Sequence, residues 1–274
     1  MAEDPVLLAR EGNVGVLTLN RPEKRNAIND PLRDMLYEKL DDARQDPEIS
    51  VILLQGAGKS FCAGFDLSGD DPDREARRKN VVAFHERCLD NLRILTTIWD
   101  LPKPVVASVQ GHALGVGCIL AMICDLTLCS ENAVFGEPEI RYGSPATAGL
   151  MPWFVGAKRA RELIYMGDTL SADDAREAGI VNRVFDTEAL GAESIKYAQR
   201  LALIGPEALS RAKLAVNRSM EMRGFRNAIN SAVDVIAPLY TADTPVMQEF
   251  RGKVEDVGLS QALKWRSAQF EPLD

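Results

Sequence analysis

The spacing of apolar residues along the 274-residue chain changes several times, and each change marks an element. Two short apolar runs, at 6–8 and 14–19, flank Glu11-Gly12-Asn13 and predict a hairpin. Asp30-Pro31 then reads as a helix N-cap followed by a first helical position, where proline loses no hydrogen bond. Leu32, Met35, Leu36, Lys39 and Leu40 follow at helical spacing, with the lysine contributing its stem. Residues 51–54 form a short, wholly apolar run, the pattern of a buried strand, and a glycine-rich loop follows over 55–64. From Val81 the positions Phe84, Cys88, Leu92, Leu95 and Ile98 recur at intervals of three and four, which predicts a long amphipathic helix. It should end at Leu101-Pro102-Lys103-Pro104, because proline restricts both itself and the residue before it.

Beyond that stop, 105–109 reads as a strand, 110–116 as a turn punctuated by glycine, and 117–124 as a helix. Residues 126–129 return to an extended pattern. Ser171 and Asp174 are spaced as a capping box for a helix that stops at Gly179, and a further strand is expected over 180–184. After about Thr187 the pattern is helical throughout. The class is therefore α/β, with an α/β core over residues 1–190 and a helical region over 191–274.

Composition narrows the function. Apolar residues make up 46% and charged residues 26%, close to ordinary globular usage. A net charge of −8 argues against a nucleic-acid or anionic-membrane surface. No apolar run reaches the roughly 18 residues of a membrane span. The opening Met-Ala-Glu-Asp-Pro is acidic and unlike a secretory leader, so a cytoplasmic protein is expected. Five scattered cysteines read as reduced core thiols rather than a disulfide framework. With two histidines and no Cys-x-x-Cys pair, no metal site is expected.

Candidate chemistry concentrates in three segments: 59–67, directly after a strand; 110–125, running strand, turn and helix; and 135–143. In the second, glycines permit a sharp turn into a helix, whose free N–H groups favour an anion, either a phosphate or a developing oxyanion. A dinucleotide site fits poorly. Gly111, Gly115 and Gly117 do not match the G-x-G-x-x-G spacing, and Asp125 comes too soon to serve as the ribose acid. No G-x-S-x-G elbow occurs either.

Taken together, Cys62-Ala-Gly-Phe-Asp-Leu67, the Gly111-x-Ala-x-Gly-x-Gly-Cys118 turn with Ala121-Met-x-Cys-Asp125, and Phe135-Gly-x-Pro-Glu-Ile140 resemble the crotonase (enoyl-CoA hydratase/isomerase) superfamily. Leu19-Asn-Arg-Pro22, Asn26-Ala27 and the stretch from Gly167 to Val184 match as well, so the resemblance spans roughly residues 5–270. It implies a spiral of ββα units with a helical C-terminal trimerisation region, an acyl-CoA substrate, and a homotrimer or hexamer. Coenzyme A would enter only as part of the substrate thioester, with no separate cofactor. The shared device is a pair of backbone N–H groups that stabilise a thioester enolate. At the matching positions here stand Phe65 and Val116, both able to donate because neither is proline. Ala27, Ala63, Gly64, Asp66, Leu67, Gly115, Ile119 and Tyr142 fall along the implied substrate site, and Arg25 near the coenzyme A phosphates. Lys264 or Arg266 could also meet those phosphates.

The acid/base groups depart from the family pattern. Hydratases of the family hold water between two glutamates; the position of the first is Ile119 here, and the second is present as Glu139. One carboxylate suffices to move a double bond, by taking an α-proton and returning one at the γ-carbon, so isomerase-like chemistry is expected. A hydratase working with one glutamate, or a non-catalytic acyl-CoA-binding protein, are the alternatives. Glu137 reads as a surface carboxylate, His112 as a packed turn residue, Asp66 as a local backbone acceptor and Asp125 as a structural acceptor. Ser144-Pro-Ala-Thr-Ala-Gly149 replaces the family's glycine-rich run, which alters the acyl pocket. The charged stretch 70–79 reads as a solvated segment, with a pocket lid as the sharper alternative.

Overall fold

A computed structural model of the chain describes residues 4–67, 76–77, 79–144 and 149–270. Most of the charged stretch 70–79, and residues 145–148 of the altered pocket loop, lie outside the described residues.

The hairpin forms as expected. Strands β1 (Val6–Glu11) and β2 (Val14–Leu19) pair antiparallel across Gly12-Asn13, where Gly12 takes φ +64°. Helix α1 (Asp30–Gln45) then crosses back to β3 (Val51–Gly56), which lies parallel to β2. Its cap is Asn29, whose side chain accepts from the Leu32 N–H at 3.1 Å, so Asp30 is already inside the helix. Helix α2 (Val81–Asp100) starts on the Asn80 cap and stops at Leu101, before Pro102. Strand β4 (Val105–Val109) and helix α3 (Val116–Ile123) follow, then β6 (Leu126–Ser130).

Within the glycine-punctuated turn lies one element that the apolar pattern did not show, the three-residue strand β5 (His112–Leu114). It pairs parallel with β7 (Val134–Gly136), and β7 pairs antiparallel with β8 (Thr169–Ser171) to make a small second sheet. Three residues are too few for an alternation to be readable. Between β7 and β8 come a 3₁₀ turn, Pro138–Tyr142, and helices α4 (Pro152–Val155) and α5 (Ala157–Met166). Helix α6 (Ala172–Glu177) opens on the expected capping box of Ser171 and Asp174. The strand expected over 180–184 is shorter and later: only β9 (Arg183–Phe185) pairs with β6. Ile180 and Val181 are buried, but their N–H groups turn back to the Ala175 carbonyl and close α6 instead.

The main sheet runs β1-β2-β3-β4-β6-β9, parallel beyond the hairpin. Alternate residues divide between its faces. Leu17, Leu19, Ile52, Leu54, Val105 and Ala107 belong to the large core that also holds the buried side chains of α1, α2 and α3. Val14, Val16, Val51, Leu53, Val106 and Leu128 pack with Leu190, Ala198 and Leu209 of α7 (Leu190–Ala202) and α8 (Pro206–Glu221). Both faces are covered, which is why these strands read as continuous apolar runs. Helix α9 (Phe225–Thr241) packs on α2, and α10 (Pro245–Val257) and α11 (Leu259–Ser267) return over the 138–142 turn. No helix among the described residues is long and apolar enough to cross a membrane.

Candidate active site

The three segments singled out in the sequence meet at the N-terminus of α3. The 62–67 loop is fixed on both sides. The Ile28 N–H donates to the Gly64 carbonyl at 2.8 Å and the Asp66 N–H to the Ile28 carbonyl at 2.9 Å, a parallel bridge that leaves the Phe65 N–H on the opposite side. The Cys62 N–H donates to His112 and the Leu114 N–H to Cys62, tying the loop to β5. Ala63 donates to the Arg25 carbonyl at 3.0 Å, so the 25–27 loop, with Ala27 half-buried, travels with it. Asn26 holds that loop: it sits at φ +55°, which asparagine tolerates, and its buried amide donates to the Ala57 and Ser60 carbonyls.

Gly115 caps α3 at φ +54° and donates its N–H to the Gly136 carbonyl at 2.8 Å. Cys118 and Ile119 both bond back to the Gly115 carbonyl, so the Val116 N–H belongs to the first turn, where the helix offers it no acceptor. The Val116 side chain is buried in the core beneath the helix.

Glu139, in the 3₁₀ turn, closes the site. A Cβ placed on Gly115 would come within 1.7 Å of its Oε1, and one on Gly64 within 3.9 Å, so the carboxyl lies against both glycine loops. Its Oε2 is buried and meets no hydrogen-bond partner among the described residues. Burial pushes the Glu139 carboxyl up to about 7, opposed in part by its own backbone N–H. Ile119 is fully buried and belongs to the large apolar core.

Neighbouring residues take definite places. The Tyr142 ring stacks on Phe250 at 4.7 Å, and burial together with the Glu139 charge pushes its phenol up. Asp66 forms an ion pair with Arg21 at 3.0 Å, while Arg25 and Leu67 are exposed. His112 holds the Ser60 hydroxyl through Nδ1 at 3.1 Å, and burial and Arg25 both lower its proton affinity. Asp125 is a structural acceptor as expected. It receives the Val105 N–H at 2.7 Å and the Lys213 ammonium at 2.8 Å. Two features differ from the sequence reading. Glu137 is not a surface carboxylate: it is 1% exposed and acts on the Cys118 thiol, whose proton affinity is pushed up by burial and then by that charge. Arg266 faces protein, donating to the Arg141 carbonyl at 2.6 Å.

The family model for enoyl-CoA hydratase/isomerase matches residues 9–244. Among curated relatives, the short-chain-enoyl-CoA hydratase of Clostridium acetobutylicum is 36% identical over 221 residues, covering 79% of this chain and 82% of that protein. The crotonyl-CoA hydratase of Syntrophomonas wolfei is 35% identical over 227 residues, 81% of this chain and 84% of that one. The crystal structure of an enoyl-CoA hydratase/isomerase from Xanthobacter autotrophicus Py2 superposes with a TM-score of 0.91 at 34% identity, covering 98% of this chain and 99% of that one. A probable enoyl-CoA hydratase from Mycobacterium smegmatis gives 0.80 at 32% identity over 87% and 95%. With two glycine loops converging on a buried glutamate in the crotonase fold, the chain belongs to the enoyl-CoA hydratase/isomerase family.

Proposed function

We propose that this chain is an acyl-CoA isomerase-type enzyme that holds the thioester oxygen on the Phe65 and Val116 N–H groups and moves protons with Glu139 alone. The observation that carries this reading is one buried carboxyl set against both glycine loops, and it is supported by the apolar Ile119 at the position that the family resemblance gives to the first glutamate. On a 3-enoyl thioester, the Glu139 carboxylate takes a proton from C2. The electron pair of that C–H bond enters the conjugated system, and negative charge develops on the thioester oxygen facing the two donors. The Glu139 carboxyl then returns its proton to C4, leaving the double bond between C2 and C3. A proton affinity near 7 suits a group that must act as base and then as acid close to neutral pH.

A hydratase is the second reading, favoured by the names of the relatives from Clostridium acetobutylicum and Syntrophomonas wolfei. Water addition would then rely on Glu139 without a carboxylate at 119. Incubating the protein separately with 3-enoyl-CoA and 2-enoyl-CoA in deuterated water distinguishes them. Deuterium at C2 or C4 without gain of water supports the isomerase; a 3-hydroxyacyl product identifies the hydratase; unchanged thioester with retained binding identifies a binder.

A further inference from the structure

The turn that carries Glu139 is gripped from both sides by parts of the chain distant in sequence. On one side, Arg141 Nε donates to the Met166 carbonyl at 2.8 Å and its other nitrogen pairs with Asp168. Gly167 sits so close beneath that an added Cβ would meet Ile140 at 2.9 Å and Arg141 at 3.1 Å. On the other side lies the C-terminal region. Met247 would meet a Cβ on Gly143 at 2.9 Å, Phe250 stacks on Tyr142, and Arg266 Nε donates to the Arg141 carbonyl at 2.6 Å. The guanidinium groups of Arg141 and Arg266 share the Phe270 ring, at 4.6 Å and 5.3 Å from its centroid. Arg266 thus makes a direct bond to the backbone of the turn and a second contact through a shared aromatic.

We infer that Arg266 is a positioning residue: through the Arg141 carbonyl and the Phe270 stack, it holds the 138–142 turn so that Glu139 stays enclosed against Gly64 and Gly115. The inference builds on the proposed role of Glu139, but its cover can be measured whether or not that role is right. A carboxyl kept from water by a clamped turn regains water when the clamp is released, and its proton affinity then falls. Loss of a nearby positive charge alone would act in the opposite direction. Among the described residues, Tyr142 and Arg141 on its own turn, Glu137 before it, Cys118 on α3 and Arg266 on α11 are titratable groups around Glu139 and its turn, and α10 contributes Met247 and Phe250.

The test is a carbon-13 titration of the glutamate carboxyls in the full, unliganded chain, with the Glu139 signal assigned by its loss in Glu139→Gln. In Arg266→Met the Glu139 midpoint should fall by about one pH unit, with Arg266→Lys between it and the native protein. Where the native protein exchanges substrate protons, kcat of Arg266→Met should fall by about tenfold with KM nearly unchanged, since a small misplacement acts on the chemical step. An unchanged midpoint with a lowered melting temperature would make Arg266 a merely structural residue and overturn the inference; so would a raised midpoint, which would assign it a direct charge effect. If Arg266→Met does not fold, Phe270→Leu keeps the backbone bond and removes the stack; a lowered Glu139 midpoint supports the inference, and an unchanged one overturns it. A native protein that exchanges no protons counts against the proposed function and leaves the titration to decide the clamp.

Discussion

Oxygen Oε1 of Glu139 occupies the space that a side chain on Gly115 would need: a Cβ there would stand 1.7 Å from it. Gly115 also adopts φ +54° with ψ −126°, a combination open to glycine and costly for other residues. Gly115→Ala should therefore displace the carboxyl and strain the cap of α3 together. We expect at least about a hundredfold loss of turnover and a lower melting temperature. Gly191→Ala, in the first turn of α7 with nothing within 4 Å, serves as the control: turnover should not change, and the melting temperature should hold or rise slightly.

Glu139 should also leave a mark on stability. Its carboxyl titrates near 7 in the folded chain against about 4.5 ordinarily, so the folded state binds the extra proton between those values. The cost of the buried charge is absent below about pH 4.5, grows as pH rises and is complete above about 7. Glu139→Gln removes it. Urea unfolding should show the variant more stable than the native protein by about 3 kcal/mol at pH 8.5 and nearly equal to it at pH 4.5. An equal difference at both pH values would contradict the burial of this group.

Beneath α3 the buried Lys213 pairs with Asp125, whose carboxylate keeps partial access to solvent. The Lys213 ammonium donates to the Ile98 carbonyl at 2.9 Å and to Asp125 at 2.8 Å, and one turn later Asn217 donates to the Trp99 carbonyl at 2.8 Å. This cluster adds donors to carbonyls in the last turn of α2. Lys213→Met removes the ammonium from Asp125 and from the α2 carbonyl and should cost about 1–3 kcal/mol in urea unfolding. Adding Asp125→Asn to that variant should recover part of the loss; no recovery would mean that packing, not charge, governs the site.

We also propose that the chain assembles as a homotrimer or a hexamer. The helical region leaves Leu203 86% exposed, Met222 89% exposed and Val235 75% exposed, with Ile204 and Val216 uncovered as well. Association of these faces would remove that apolar surface from water. Light scattering at micromolar concentration should give three or six times the chain mass, and a stable monomer would refute the assembly.

Much of this architecture was legible in the sequence wherever the cause is local. Proline stops, the Ser171–Asp174 capping box and the continuous apolar runs of the central strands all act within a few residues, and each formed as expected. Glu139, Phe65 and Val116 were picked out by motif resemblance, because no local pattern distinguishes a catalytic glutamate from a surface one. Glu137 shows the limit: two residues from Glu139, it is buried, and its charge acts on the Cys118 thiol of α3, some twenty positions away. The hold of Arg266 on Arg141 spans 125 residues and leaves no periodic trace. Ile180 and Val181 were apolar enough for a strand, but the Ala175 carbonyl captured their amides first. Partners distant in sequence decided the first two, and the closing turn of α6 decided the third.

In the proposed reaction a single carboxyl, Glu139, carries the proton transfer. Its most direct test is the rate at which the protein washes deuterium from solvent into the α-position of an enoyl-CoA, comparing the native chain with Glu139→Gln. The replacement keeps the shape of the side chain and removes the base. Exchange should fall by about 10²–10⁴-fold, with binding of the thioester retained. Near-native exchange in Glu139→Gln would contradict this role and assign the proton transfer to another group.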